Sequence, residues 1–125
     1  MLYTRNYAVW TLRDALETTS LPPSGTDLDT RIAVACQWLL LAGDEVARLC
    51  IFGVEVEPDL LRSYGGGPLY HGPSIFAKGR WMLWKERLRE LRVGLCDATQ
   101  QKVDQTLGQM DVFEEKWVAR LDASA

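Results

Sequence analysis

The fold of this chain is decided by residues 80–91, which read RWMLWKERLREL. Around this stretch apolar side chains recur at intervals of three and four residues, at Ala77, Trp81, Trp84, Leu88, Leu91 and Leu95. Such intervals place side chains on one face of an α-helix, because a helical turn takes about 3.6 residues. We therefore predict a helix over residues 76–93 that packs through a seam containing two indoles.

Three further helices are predicted over residues 3–18, 27–52 and 97–121. The second of them is apolar around most of its circumference, which is typical of the central helix of a bundle. Only a few residues separate the third and fourth helices, so we expect these two to form an antiparallel hairpin. No stretch alternates apolar and polar residues for long enough to predict a strand. The sequence thus predicts an all-α fold, a compact bundle of four main helices in a single domain over residues 1–125.

A long Gly/Pro-rich loop, residues 53–79, is predicted between the second and third helices. It contains Gly65-Gly66-Gly67-Pro68 and the only histidine of the chain, His71. The glycine run lacks the Gly-Lys-Ser/Thr sequence of a phosphate-binding loop, so we interpret it as a turn. Loops of this length inside a compact domain often carry function or cover a core.

Charge, hydropathy and cysteine content indicate which partners and which cellular compartment to expect. The net charge of −3 does not favour nucleic acid as a partner. The apolar run at residues 32–43 is too short to span a bilayer, so no membrane association is predicted. Cys36 and Cys50 would lie on one helix about 21 Å apart, too far to form a disulfide with each other. With Cys96 the count is odd, which indicates a reducing compartment, and we expect a cytoplasmic protein.

The tryptophan content allows two interpretations. Five tryptophans each fall on an apolar face of a predicted helix, at Trp10, Trp38, Trp81, Trp84 and Trp117. They favour a core rich in aromatic side chains, since buried aromatics dominate core energetics. The alternative is an aromatic-lined ligand pocket between helices, where bundles do place ligands. For such a pocket the expected ligand-binding residues are Tyr70, His71, Arg80, Trp81 and Trp84.

Acid–base chemistry, if any, would fall to His71 and Asp14. Histidine is the usual proton-transfer residue near neutral pH, although a single histidine in a glycine-rich loop is more often a surface residue. Asp14 and Glu17 would share one helix face, as would Asp44 and Arg48, and we interpret these groups as solvated or ion-paired. No zinc-ligand spacing, Glu-x-x-His motif or Gly-x-Ser-x-Gly elbow is present, so we expect no metal and no cofactor.

Three blocks of the sequence together resemble a known family. They are YAVWTLRDALE at residues 7–17, AVACQWLLLAG at residues 33–43, and an Arg-Trp-x-x-Trp-Lys-Glu-Arg block that begins at Arg80 and follows GGPLY at residues 66–70. The family consists of all-helical fungal proteins known only as a domain of unknown function. The resemblance implies an intracellular helical fold, and it supplies no catalytic residues. Members look longer, with further helices before the first block. Apolar surface left on the first two helices would then favour self-association or a protein partner.

Two hypotheses of function follow from the sequence. The first is a non-enzymatic helical interaction or oligomerisation module, expected to be a homodimer. The second is a small-molecule-binding protein or cofactor-free enzyme, of the isomerase or cyclase type, that holds an apolar metabolite beneath the loop at residues 65–72.

Overall fold

The structure, a computed structural model, describes residues 2–18, 21, 25–54 and 76–124. Within these ranges the regular elements are α1 (Leu2–Leu16), α2 (Thr26–Phe52), α3 (Lys78–Leu91), a 3₁₀ turn (Arg92–Gly94) and α4 (Asp97–Ser124). The described ranges contain no strand, which confirms the all-α prediction. Most of the predicted Gly/Pro-rich loop lies at residues 55–75, outside the described part of the chain.

Most helix ends lie one to three residues from those predicted, while α2 ends at Phe52 and α4 begins at Asp97 as predicted. α2 stops at Gly53, whose φ of 63° is a left-handed conformation that glycine adopts freely at helix ends. α3 is shorter than predicted, because the chain tightens after Leu91 into the 3₁₀ turn that ends at Gly94. A last turn of this kind is common at the end of an α-helix.

α2 is the central helix, as its apolar circumference predicts. It contacts α1, α3 and α4, and its most extensive contact is with α4. Large side chains from three helices fill the core around it with less than 2% exposure, including Leu12, Leu16, Leu28, Ile32, Leu39, Leu49, Trp81, Trp84 and Leu88. α2 is therefore the element on which the other helices assemble.

α3 and α4 form the predicted antiparallel hairpin. Lys85 on α3 contacts Asp111 on α4, while Trp81, one turn earlier on α3, contacts Glu114. Residue numbers therefore fall along α3 as they rise along α4. The contact between these two helices includes ion pairs of Lys85 with Asp111 and Glu114 and a hydrogen bond from the Trp81 indole to Glu114.

α2 and α4 run parallel to each other. Gln37 pairs with Lys102, and further along both helices the Phe113 ring lies against Gly43. A Cβ atom on Gly43 would lie 3.0 Å from Cε2 of Phe113, so glycine permits this close approach. The parallel order requires α3 to carry the chain back along the bundle before α4 begins.

The apolar run at residues 32–43 lies inside α2. In the part of the chain that the structure describes, no helix is both long enough and apolar enough to cross a membrane.

Candidate functional site

A carboxylate, a guanidinium and an indole meet in the interior, where α1 ends against α3. Arg80 donates to Glu17 twice, from Nε to Oε2 at 2.6 Å and from Nη2 to Oε1 at 2.9 Å. Trp84 donates from Nε1 to the same Oε2 at 2.7 Å. All three residues have 0% exposure. We call these three residues the buried cluster.

Local sequence explains how α3 reaches the end of α1. Arg80, Trp84 and Arg87 are spaced four and three apart, so they lie on one face of α3. Arg87 donates from Nε to the carbonyl oxygen of Leu16 at 3.1 Å and from Nη2 to that of Thr18 at 3.2 Å. Carbonyls at a helix C-terminus lack partners within the helix, and basic side chains satisfy them. α3 therefore holds the end of α1 at two points.

Trp81 packs edge-on against Trp84 of the buried cluster, with ring centroids 6.3 Å apart, and its indole N–H reaches α4. Its Nε1 donates to Oε1 of Glu114 at 3.0 Å, and Lys85 donates to the same oxygen at 3.0 Å. Burial alone would lower the pKa of Lys85, but its hydrogen bonds from Nζ to Asp111 and Glu114 outweigh that effect and raise it. Of the predicted ligand-binding residues, Arg80 and Trp84 meet on one carboxylate, whereas Trp81 serves the contact with α4.

Asp14, the predicted acid–base residue of the first helix, lies on the surface. Its side chain is 70% exposed and pairs with Arg13 at 3.3 Å. It lines a shallow groove of about 240 Å³ between α1 and α2, together with Thr11, Ala15, Thr30, Arg31 and Val34. Tyr70 and His71 fall outside the described residues.

The sequence interpretation gave Glu17 and Asp14 the same role, solvation and ion pairing. For Glu17 the solvation is wrong and the ion pairing holds, because Glu17 is fully buried and pairs with Arg80. The available signal was Arg80 itself, four residues before Trp84 and therefore beside it on the helix face. A buried arginine requires an acidic partner, since an unpaired charge in the interior is very costly.

Cys50 lies beside the buried cluster and is itself buried. Burial raises the pKa of this thiol to about 12, against smaller lowering effects from a hydrogen bond with the Ala77 backbone and from the charge of Arg80. A thiol with this pKa is protonated at neutral pH and is a poor nucleophile. Cys50 therefore acts as a packing residue.

Asp44 forms a second paired carboxylate at the contact between α2 and α4. Lys116 donates to both of its oxygens at 3.0 Å, and Trp117 donates from Nε1 to Oδ1 at 2.7 Å. Burial alone would raise the pKa of Asp44, but these hydrogen bonds outweigh it and hold the pKa below its ordinary value of 3.8. Arg48 donates to Glu45 at 2.6 Å, and this hydrogen bond together with the charges of Glu45 and Asp44 raises the pKa of Arg48.

One side of α2 faces solvent, while its opposite side is buried against the other helices. The apolar part of the solvent-facing side includes Val34, which is 45% exposed, and Leu41, which is 69% exposed, with the partly buried Trp38 between them. Charged residues flank this part on both sides, Asp27 and Arg31 before it and Glu45 and Arg48 after it. We call these seven residues the open face of α2.

Residues 1–88 match the model of a family described as "Protein of unknown function (DUF3632)". The chain belongs to this family. The DUF3632 match includes α1, α2 and most of α3, so it contains both the buried cluster and the open face of α2. α4 lies beyond it. No curated protein and no solved structure shows significant similarity to the chain.

Within the described residues, no three His, Cys, Asp or Glu side chains lie close enough together to hold a metal ion. The buried carboxylate of Glu17 and the partly buried carboxylates of Asp44 and Glu114 each accept from one indole N–H and at least one cationic side chain. Such charge-assisted hydrogen bonds fix the relative positions of helices. In this arrangement these groups join the helices to one another.

Proposed function

We propose that this DUF3632 domain is a non-enzymatic helical interaction module that docks a protein partner on the open face of α2. The observation that carries this proposal is the exposure of Leu41, 69%, and of Val34, 45%, two turns apart on one side of a helix whose opposite side is buried. Neighbouring apolar side chains that stay in water, bordered by charges, are typical of helix-docking surfaces. Burial of each would contribute about 1–2 kcal/mol to binding.

The buried cluster supports the same proposal, because its groups are engaged with one another. Both oxygens of Glu17 accept hydrogen bonds from Arg80, and one of them also accepts from Trp84. Proton transfer to a substrate would require a carboxylate that substrate can reach, and this one has no exposed surface. The cluster is suited to holding the end of α1 against the start of α3.

We place the domain in the cytoplasm. The support is that Cys36, Cys50 and Cys96 are all free thiols, which persist in a reducing compartment. The fungal origin that the sequence resemblance implies stays a prediction.

A second candidate function, small-molecule binding, is favoured by the groove between α1 and α2. Its 240 Å³ lies slightly below the range of about 300–1,000 Å³ that is usual for ligand pockets. Arg31 and Val34 belong both to this groove and to the open face of α2, so a bound ligand and a bound protein would compete there. The aromatic pocket predicted around Tyr70 and His71 lies outside the described residues and stays a prediction.

The test of the interaction module compares two matched substitutions. Leu41→Glu places a charge on the open face, while Val112→Glu places one at a 54% exposed position on α4. Tagged protein is cross-linked in cells, and the bound proteins are quantified for wild type and both variants. We expect Leu41→Glu alone to abolish binding. Equal binding by all three proteins, or no binding by any, would contradict the proposal.

A further inference from the structure

The charges on the open face of α2 are arranged so that the face is complementary to itself. Its seven residues follow one another at intervals of four and three, in the order Asp27, Arg31, Val34, Trp38, Leu41, Glu45 and Arg48. In charge this order is negative, positive, three uncharged positions, negative, positive. Intervals of this kind form a continuous seam along a helix.

We infer that the partner docked on this face is a second copy of the chain, with the two α2 helices antiparallel about a two-fold axis near Trp38. This inference rests on the proposed function and names its partner. In the antiparallel arrangement Arg31 lies opposite Glu45 of the second copy, and Asp27 lies opposite Arg48. Val34 then packs against Leu41 of the second copy, and the two-fold axis repeats each contact.

The opposite orientation is disfavoured by the same charges. In a parallel pair each residue lies near its own copy, so Arg31 would face Arg31 and Asp27 would face Asp27. Like charges placed across a helical seam are repulsive, and such charges choose partner and orientation in helix pairs. The charge order of the face therefore specifies the antiparallel pair.

The charged groups concerned are accessible. Asp27 and Arg31 are exposed, and neither forms an ion pair with another described residue. Glu45 and Arg48 pair with each other, yet their side chains remain 42% and 34% exposed, so both can also accept a contact from a second copy. The apolar part of the seam is short, which predicts a dimer of micromolar rather than nanomolar affinity.

Charge reversal on two separate proteins tests the inference. Arg31→Glu alone creates two Glu–Glu contacts in its own antiparallel dimer, and Glu45→Arg alone creates two Arg–Arg contacts. When the two variants are mixed, every contact in the mixed dimer again joins opposite charges. Sedimentation velocity on purified proteins should show that the dimer dissociation constant of each variant is about tenfold higher than that of wild type. The mixture should return close to the wild-type value.

Arg89→Glu serves as the control, because Arg89 is 47% exposed on α3 and lies off the open face. Alone, Arg89→Glu should dimerise as wild type does. In a mixture it should not rescue Glu45→Arg to the wild-type dissociation constant, because the mixed dimer keeps one repulsive contact between Arg31 and the arginine at position 45. The antiparallel arrangement would be overturned if both single variants dimerised as wild type does. It would also be overturned if the mixture did not regain the wild-type dissociation constant.

The outcomes also separate this inference from the proposed function. Purified wild-type protein that stays monomeric at high micromolar concentration, while Leu41→Glu still abolishes a partner's binding in cells, would reject the second copy and leave the docking face standing. Binding that is insensitive to Leu41→Glu would reject the docking face itself.

Discussion

Glu17 and Arg80 lie 63 positions apart in the sequence and form a two-point ion pair with no exposed surface. The pair joins the end of α1 to the first turn of α3, and Trp84 adds a third hydrogen bond to the same carboxylate. Ion pairs on the surface contribute little to stability, whereas breaking a buried pair leaves an uncompensated charge in the interior. Among the polar contacts described, we therefore expect substitution of this pair to lower stability the most.

Glu17→Gln should lower the free energy of unfolding by about 3–5 kcal/mol, because the neutral amide removes the negative charge with which the buried Arg80 is paired. Urea denaturation followed by circular dichroism measures this loss. Asp104→Asn is the control, since it breaks a two-point pair with Arg92 that lies at the surface. Equal losses of stability from the two substitutions would show that the buried pair contributes no more than the surface pair.

The buried thiol of Cys50 should make the domain sensitive to alkali. Its pKa is about 12 in the folded chain against an ordinary value of 9.0, so unfolding releases a proton between these pH values. Stability from this group is complete below pH 9.0 and falls as pH rises, by at most about 1.4 kcal/mol per pH unit. Denaturation curves at increasing pH should show a shallower decline for Cys50→Ala. Cys96→Ala, at an exposed position, should decline as wild type does.

The contribution of Asp44 to stability should be lost at acid pH. Its folded pKa lies below the ordinary 3.8, so its contribution is present above that value and is lost as pH falls through the folded pKa. Because the side chain is 46% exposed, we expect Asp44→Asn to cost less than about 1 kcal/mol at neutral pH. The difference between the two proteins should vanish in acid. A difference that is the same at both pH values would contradict the electrostatic explanation.

Two glycines inside helices should respond in opposite directions to alanine. At Gly108 nothing lies within 4 Å of an added Cβ, so Gly108→Ala should stabilise the domain by up to about 1 kcal/mol through helix propensity. At Gly43 the added Cβ would lie 3.0 Å from the Phe113 ring, and we expect Gly43→Ala to destabilise the contact between α2 and α4. Thermal unfolding of both variants gives the comparison. Stabilisation by both would mean that the ring moves without cost.

The helical architecture could be predicted because it depends on local spacing. The seam through Trp81, Trp84 and Leu88 predicts a packed helix, and all three side chains are fully buried. The apolar circumference of residues 27–52 predicts a central helix, and α2 occupies that place. Periodicity determines which face of a helix is buried. That information was sufficient to predict these two helices.

The polar contacts could not be predicted in the same way, because each joins residues that are far apart in sequence. Spacing places Glu17 beside Asp14 on one helix, but only the packing of α1 on α3 decides that Glu17 is buried and Asp14 exposed. Spacing equally favours an Asp44–Arg48 pair, yet Lys116 and Trp117 reach Asp44 from α4. Local rules leave several partners open, and tertiary packing selects among them.

The parallel packing of α4 on α2 also fixes an order of events during folding. Gln37 and Lys102 lie 65 positions apart, and Asp44 and Trp117 lie 73 apart. Contacts between such distant positions close large loops, which slows their formation, and α4 is the last of these four helices to be synthesised. Until α4 docks, the side of α2 that it covers remains in water, and during that interval the nascent domain is most exposed to chaperones and to aggregation.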